Sequence, residues 1–315
     1  MKKYGFGVDI GGTSIKFGLF DEHSHLVEKW EIPTESERGG NAVCLSVALE
    51  IKNKMLSYGI LSKHVIGVGV GVPAVVDKNG VIACQGANLR WENFNVKDLL
   101  ESYLSITVYV MKDVNAALLG EVRYGAARGT SNAVLLTLGT GLGCAMLMGG
   151  RLLYGSRGFA GELGHVRVND DEIEPCGCGK FGCLEQYASA KGLVRLAKKA
   201  ASSFSFSTVI EMDKLSSKEI FKAYGEGDAL AEWTVCKFVQ YLSRAIGYLS
   251  AVLDPEVIII GGGISLAGDL FLDAVKTECK GVIDFEKCKL QIASLGNDAG
   301  IFGAFSEMMR YNTLS

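Results

Sequence analysis

Residues 4–21 read Y-G-F-G-V-D-I-G-G-T-S-I-K-F-G-L-F-D. Tyr4 to Ile10 is mostly apolar, Gly11-Gly12-Thr13 is a turn signal, and Ser14 to Phe20 is apolar again before Asp21. The spacing predicts a β-hairpin whose tip carries no bulky side chain. Such a tip presents backbone N–H groups that phosphate oxygens can reach. Thr13 adds a hydroxyl donor and Lys16 a nearby positive charge. Asp9, ending the first strand, is a carboxylate suited to a Mg²⁺ hydration shell. A plain hairpin would account for one such turn equally well.

The theme recurs. Ala133 to Leu138 is apolar, Gly139-Thr140-Gly141-Leu142-Gly143 is a turn, and Cys144 to Met148 is apolar. A third cluster, Gly261-Gly262-Gly263, directly follows the β-branched run Val257 to Ile260, which reads as a buried strand. Three glycine turns at strand ends favour phosphate binding, and the repeat hints at two similarly built lobes. The commoner phosphate motifs are missing. The chain has no G-x-x-x-x-G-K-[ST]. Gly69 to Ala74 matches a dinucleotide fingerprint in letters only, because Pro73 and Val75-Val76-Asp77 predict an extended turn where a helix should begin.

Further out, strands are predicted at 26–32, 65–72 and 108–111, and helices at 41–57 and 98–104. The C-terminal half is more helical, with apolar stripes over 184–201 and 228–253 and a helix over 269–278. Residues 202–217 are Ser-rich and read as a surface excursion. This alternation predicts an α/β protein. Its 315 residues suffice for two domains, and 48% hydrophobic with 21% charged residues fits a well-packed globule. A net charge of −3 offers no basic field for nucleic acid. No apolar run approaches a membrane span, and Gly5, Gly7 and Asp9 interrupt the N-terminus too early for a signal peptide. A cytoplasmic location is expected.

Three polar constellations remain. In V-Y-V-M-K-D-V-N-A-A-L-L-G-E (108–121), a strand delivers Asp113 to a helix start, where ligands of α/β proteins usually bind. An N-cap aspartate would look the same, and Asn115 shares the ambiguity. In G-F-A-G-E-L-G-H (158–165), small residues surround Glu162 and His165, as close backbone approach requires. In E-P-C-G-C-G-K-F-G-C (174–183), Cys176, Cys178 and Cys183 fall eleven or more residues after His165. There is no redox C-x-x-C, and a reducing compartment disfavours disulfides. A Cys₃His set suits tetrahedral Zn²⁺. Four protein ligands leave no open coordination position, so such an ion would be structural.

With D-I-G-G-T-S-I-K (9–16), K-D-V-N-A-A-L-L-G-E (112–121), T-L-G-T-G-L-G (137–143), G-E-L-G-H (161–165), C-G-C-G-K-F-G-C-L-E (176–185) and I-I-I-G-G-G-I (258–264), the chain resembles the ROK family of sugar kinases and repressors. It is most similar to the bacterial glucokinases of that family. The resemblance implies a two-lobed actin-like ATPase (ribonuclease H-like) α/β fold with an interlobe cleft and a structural zinc loop over 165–185. The small lobe would comprise residues 1–115 plus a C-terminal helix over 299–311, and the large lobe 116–298. ATP would lie against Asp9, Gly11, Gly12, Thr13, Lys16, Thr140, Gly141, Gly261, Gly262 and Gly263. Asp113 matches the family's catalytic base, and Asn88, Glu162, His165 and Glu185 its sugar ligands. His165 would serve both sugar and zinc, beside Cys176, Cys178 and Cys183. The implied activity is ATP- and Mg²⁺-dependent phosphorylation of a hexose, glucose first, in a homodimer or homotetramer with no nucleic-acid or membrane partner. Kinases for N-acetylmannosamine, N-acetylglucosamine, fructose, allose or a β-glucoside are the alternatives. A sugar-binding regulator is disfavoured, because the repressors carry a helix-turn-helix ahead of the first strand. The sequence departs from the family at Lys112, where Asn is usual and commonly touches sugar, at Ala74, and around Leu142 and Cys144-Ala145.

Overall fold

The computed structural model describes residues 2–77, 81–84, 91, 95–284 and 286–314. They form two compact units: Met1–Gly129 with Leu152–Ala160 and Asn297–Ser315, and Thr130–Arg151 with Gly161–Gly296. The first unit is built from β1 (Tyr4–Ile10), β2 (Ser14–Asp21), β3 (Leu26–Pro33), α1 (Gly39–Ser57), β4 (Val65–Val72), β5 (Val75–Val76), β6 (Ile82–Cys84), α2 (Val96–Leu104), β7 (Val108–Lys112) and α3 (Asp113–Tyr124). The chain continues with β8 (Ala133–Leu138), β9 (Leu142–Met148), β10 (Arg151–Leu152), α4 (Ala190–Ser203), α5 (Ser217–Gly225), α6 (Ala229–Leu253), β11 (Val257–Gly261), α7 (Asp269–Glu278) and β12 (Lys289–Ile292). The last helix, α8 (Ala299–Leu314), returns to the first unit.

The repeat read in the sequence has a structural counterpart. The two five-stranded sheets run β3-β2-β1-β4-β7 and β10-β9-β8-β11-β12. In each, the first strand of a glycine-tipped hairpin is central. Its antiparallel mate lies on one side (β2, β9), and two strands parallel to it lie on the other. The central strands are apolar runs because both faces are covered, as every residue of β11 is buried. Edge strand β3 instead alternates half-buried and exposed residues.

One predicted helix is corrected. The apolar stripe from Leu184 becomes a 3₁₀ turn at Leu184–Gln186, and α4 begins only at Ala190. Two caps compete with helix continuation: Gln186 Oε1 accepts the Cys183 amide, and Ser189 Oγ accepts the Gly192 amide. Helix α5 and strand β12 were not foreseen. Among the described residues, no helix is long and apolar enough to cross a membrane.

Helix α8 lies directly on the backbone of the first sheet. A Cβ on Gly7 would stand 2.0 Å from the Ile301 carbonyl oxygen, and one on Gly69 1.9 Å from that of Ala304. On the helix itself, a Cβ on Gly303 would stand 1.7 Å from the Ala116 oxygen in α3. Ile301, Phe305 and Met308 are buried there, with Phe305 stacked on Phe20 at 4.3 Å. Because the opposing atoms are backbone, a methyl group cannot be absorbed by a side-chain rotation. We expect Gly69→Ala to lower unfolding free energy by about 3 kcal/mol or more, at the upper end of overpacking costs. Urea titration checks this, and a loss below about 1 kcal/mol would mean that α8 yields freely.

Candidate active site

Strands β1, β4 and β7 are parallel, so their carboxyl ends share one edge of the first sheet. Asp9 pairs with Gly71, Gly71 pairs with Met111, and Asp113 follows β7 as the first residue of α3. A Cβ on Gly71 would lie 3.4 Å from both Asp9 Oδ1 and Asp113 Cα. The width of one bare backbone therefore separates the two acids. The N-cap of α3 is Lys112, without a side-chain cap bond. Asp113 is thus inside the first turn, where its Oδ1 accepts the Val114 amide at 2.7 Å and the helix dipole favours its charge.

Burial, then the charge of Asp113, raises the Asp9 pKa to about 7 against the opposing pull of Lys16. Lys16 is the cross-strand partner of Asp9. A Cβ on Gly300, in the first turn of α8, would come within 2.6 Å of the Asp9 carboxyl carbon, so that helix walls the acid on another side. The hairpin tip is braced from outside: the Gly11 amide reaches the Ser14 oxygen at 3.0 Å, while Thr34 bonds the Gly11 and Thr13 oxygens through its hydroxyl and amide at 2.8 and 2.9 Å. Gly12 and Thr13 are left exposed.

In the second unit, Gly261 pairs with Thr137, which brings Gly261–Gly263 and the turn at 139–141 to the same sheet end. Gly262 has φ +84°, and a Cβ there would strike the Leu138 backbone at 2.6 Å. Thr140 is exposed at the tip. The Gly139 amide bonds the Gly141 oxygen at 3.0 Å, and the Ala190 amide bonds the Gly139 oxygen at 2.8 Å. Glu185 Oε2 accepts the Leu142 amide at 2.9 Å.

His165, Cys176, Cys178 and Cys183 each offer one ligand atom, all within 4.8 Å of one another. Cys178 Sγ lies 3.7 Å from Cys183 Sγ, and Cys176 Sγ lies 3.9 Å from His165 Nδ1. Tetrahedral zinc with Zn–S near 2.3 Å puts sulfurs about 3.8 Å apart, so the donor set fits that ion in type and spacing. Burial pushes the Cys183 thiol up to about 12, and a nearby cation would reverse that. His165 divides its ring, with Nδ1 toward the thiols and Nε2 3.8 Å from Glu162 Oε2. The carboxylate of Glu185 reaches the cluster too, its Oε1 4.0 Å from Cys176 Sγ.

Sequence reasoning missed the loop's second anchor. Buried Glu172 accepts the Tyr187 hydroxyl at 2.5 Å and pairs with Arg195 at 2.5 Å and Lys199 at 3.2 Å. Glu174 meets the same two cations at 2.7 and 3.3 Å. Burial opposes ionisation of Glu172, but the bonds from Tyr187, Arg195, the Glu174 amide and Lys199 outweigh it and bring the pKa to about 2. The available signal was Arg195 and Lys199 at i, i+4 on one helix face.

The described residues thus place Asp9, Gly11, Gly12, Thr13, Lys16 and Asp113 in the first unit, and Thr140, Gly141, Glu162, His165, Glu185, Gly261–Gly263 and the three cysteines in the second. Asn88 lies outside the described residues. The ROK family model matches residues 5–310. The chain belongs to the ROK family. It is 37% identical over 304 residues to a glucokinase of Halalkalibacterium halodurans, covering 94% of this chain and 92% of that protein. A ROK glucokinase from Streptomyces griseus, crystallised with glucose and AMPPNP, superposes with TM-score 0.79 at 31% identity, covering 96% of this chain and 98% of that one. The ROK hexokinase of Thermus thermophilus gives TM-score 0.82 at 31% identity over 100% and 99% of the two chains. The two-lobed ROK kinase fold expected from the sequence is therefore the fold of this chain.

The raised Asp9 pKa has a stability consequence for this ROK protein. Between pH 3.8 and about 7 the folded chain keeps a proton that the unfolded chain releases, so stability falls as pH rises through that window. We expect Asp9→Asn to stabilise the nucleotide-free protein by roughly 2–4 kcal/mol at pH 8 and hardly at all at pH 4. Thermal unfolding at both pH values measures this. An equal gain at both would remove the titration from the explanation.

Proposed function

We propose that this chain transfers the γ-phosphoryl group of ATP to the primary hydroxyl of glucose, giving glucose 6-phosphate and ADP. The observation that carries this reading is Asp113, held just beyond β7 in the first turn of α3 and one glycine backbone from Asp9. The glucokinase relatives and the glucose- and AMPPNP-bound neighbour support it.

In this reading Asp113 orients O6 and accepts its proton as that oxygen attacks the γ-phosphorus in line. The bond from the γ-phosphorus to the β,γ-bridging oxygen breaks, and ADP leaves. Amides and hydroxyls at the exposed Gly12, Thr13, Thr140, Gly262 and Gly263 hold phosphate oxygens, with Gly11, Gly141 and Gly261 giving those turns their close approach and Lys16 adding charge. Mg²⁺ carried by the nucleotide would supply charge neutralisation at the phosphates, and Asp9 is the carboxylate placed to face its hydration shell. Glu162, Glu185 and the Nε2 face of His165 hold sugar hydroxyls, and Asn88 joins them. His165 Nδ1 and the thiolates of Cys176, Cys178 and Cys183 would hold a zinc ion, whose closed set of four protein ligands would give it a bracing role. The reading fits a cytoplasmic enzyme, where ATP is abundant and thiols stay reduced.

Two measurements test it. In a coupled ADP-release assay over a hexose panel, glucose should show the highest kcat/KM. Asp113→Asn should lower kcat by about 10³-fold while glucose still binds calorimetrically. Near-normal turnover in that variant would overturn the base assignment. A higher kcat/KM for an N-acetylated hexosamine would move the substrate, with Lys112 as the first residue to examine. Elemental analysis should find one zinc per chain, lost in Cys178→Ala together with glucose affinity. A metal-free variant of unchanged glucose affinity would overturn the bracing role.

A further inference from the structure

We infer that Glu185 is a positioning residue that ties the metal cluster to the second glycine turn, so that metal occupancy governs nucleotide affinity as well as sugar affinity. The inference rests on the reading of residues 139–141 as a phosphate-binding turn.

The turn and the metal loop meet at the peptide unit of Leu142. Its N–H donates to Glu185 Oε2 at 2.9 Å. Its carbonyl oxygen would lie 2.7 Å from a Cβ on Gly164, whose place only glycine can fill. Gly164 is adjacent to His165, and Glu185 is two residues past Cys183. The metal-ligand candidates at the two ends of the loop therefore each lie near a residue that meets Leu142, Gly164 by close packing and Glu185 by a hydrogen bond. One ion binding His165 and Cys183 would fix the distance between the two jaws. A Cβ at Gly141 would stand 2.3 Å from the same Glu185 oxygen, so the carboxylate fills the space where a side chain at the turn would go. The 3₁₀ turn bearing Glu185 is itself fixed at its start, where the Leu184 amide bonds the Val166 oxygen at 2.9 Å and Gln186 holds the Cys183 amide at 3.0 Å. A carboxylate has acceptor capacity beyond one amide, so this role and a sugar contact are compatible. Loss of the ion would let the jaws part, free the Leu142 amide and blur the positions of the Thr140 and Gly141 amides, on which preorganised phosphate binding depends.

The test uses the full-length protein without sugar and reads two quantities: hydrogen exchange at the Leu142 amide, followed in peptides from 139–148, and AMPPNP affinity by calorimetry. Chelation should raise the exchange rate at Leu142 at least tenfold and weaken AMPPNP binding at least tenfold. Glu185→Ala, with its zinc content verified, should do the same, and chelating that variant should add little. Glu185→Gln, whose side-chain oxygen can accept the same amide, should restore protection and bring the KM for ATP back toward wild type more than the KM for glucose. If chelation unfolds the protein by circular dichroism, the Ala and Gln pair decides alone. AMPPNP affinity and Leu142 protection within twofold of wild type after Glu185→Ala would overturn the inference. Wild-type protein that binds no nucleotide would overturn the function reading and the nucleotide half of this one, while the exchange arm would still decide whether the metal holds the turn.

Discussion

Close approach of one stretch of backbone to another is the constraint on which this structure depends. Helix α8 can seat on β1 and β4 only because Gly7 and Gly69 leave no atoms in its path, and Gly303 lets the same helix touch α3. The constraint reappears at the functional positions. Gly71 sets the gap between Asp9 and Asp113, and Gly141 admits the carboxylate of Glu185 to a turn. Hydrophobic burial supplies most of the cohesion of each unit, but any apolar side chain of suitable size can supply it. The glycines have no substitute, because a contact between two backbones has no rotamer through which to relax.

The loop over 165–185 shows a different solution to a shortage of core. Much of it is exposed, and few apolar groups hold it. Two restraint systems act instead. One is the Cys₃His set, which suits a closed metal shell. The other is the pair Glu172 and Glu174 facing Arg195 and Lys199 on α4. Buried ion pairs add little net stability, yet they fix geometry, since an unpaired Glu172 would be costly to bury. The loop is therefore registered on α4 without any metal, and an ion bound by the Cys₃His set would act on the finer placement of His165 and Glu185.

Much of this was legible in the sequence. The glycine-tipped hairpins, the valine-rich β4 and the spacing of the cysteines each follow from one local rule, and the sheets confirm that the hairpin repeat reflects a shared strand plan. What stayed hidden depends on tertiary partners. Leu184–Gln186 has a helical pattern, but Ser189 and Gln186 cap it into two pieces. Strand β12 is four residues long and identifiable only by its pairing with β11. Glu185 resembled a simple sugar ligand because nothing in the sequence shows that its carboxylate also meets the Leu142 amide. Likewise, the elevated proton affinity of Asp9 comes from burial and from Asp113, which lies remote in sequence.

The position of α8 bears on how the chain matures. The strands of the first sheet leave the ribosome early, but the helix that covers them is translated after every strand of the second unit. The second unit is one continuous excursion apart from the short return at Leu152–Ala160, and most of its contacts can form as it is synthesised. The first unit must wait with the glycine track of β1 and β4 uncovered until the final helix arrives. For this ROK protein, the first sheet is thus completed only after the second unit has been made, and the face that α8 covers stays open during that interval.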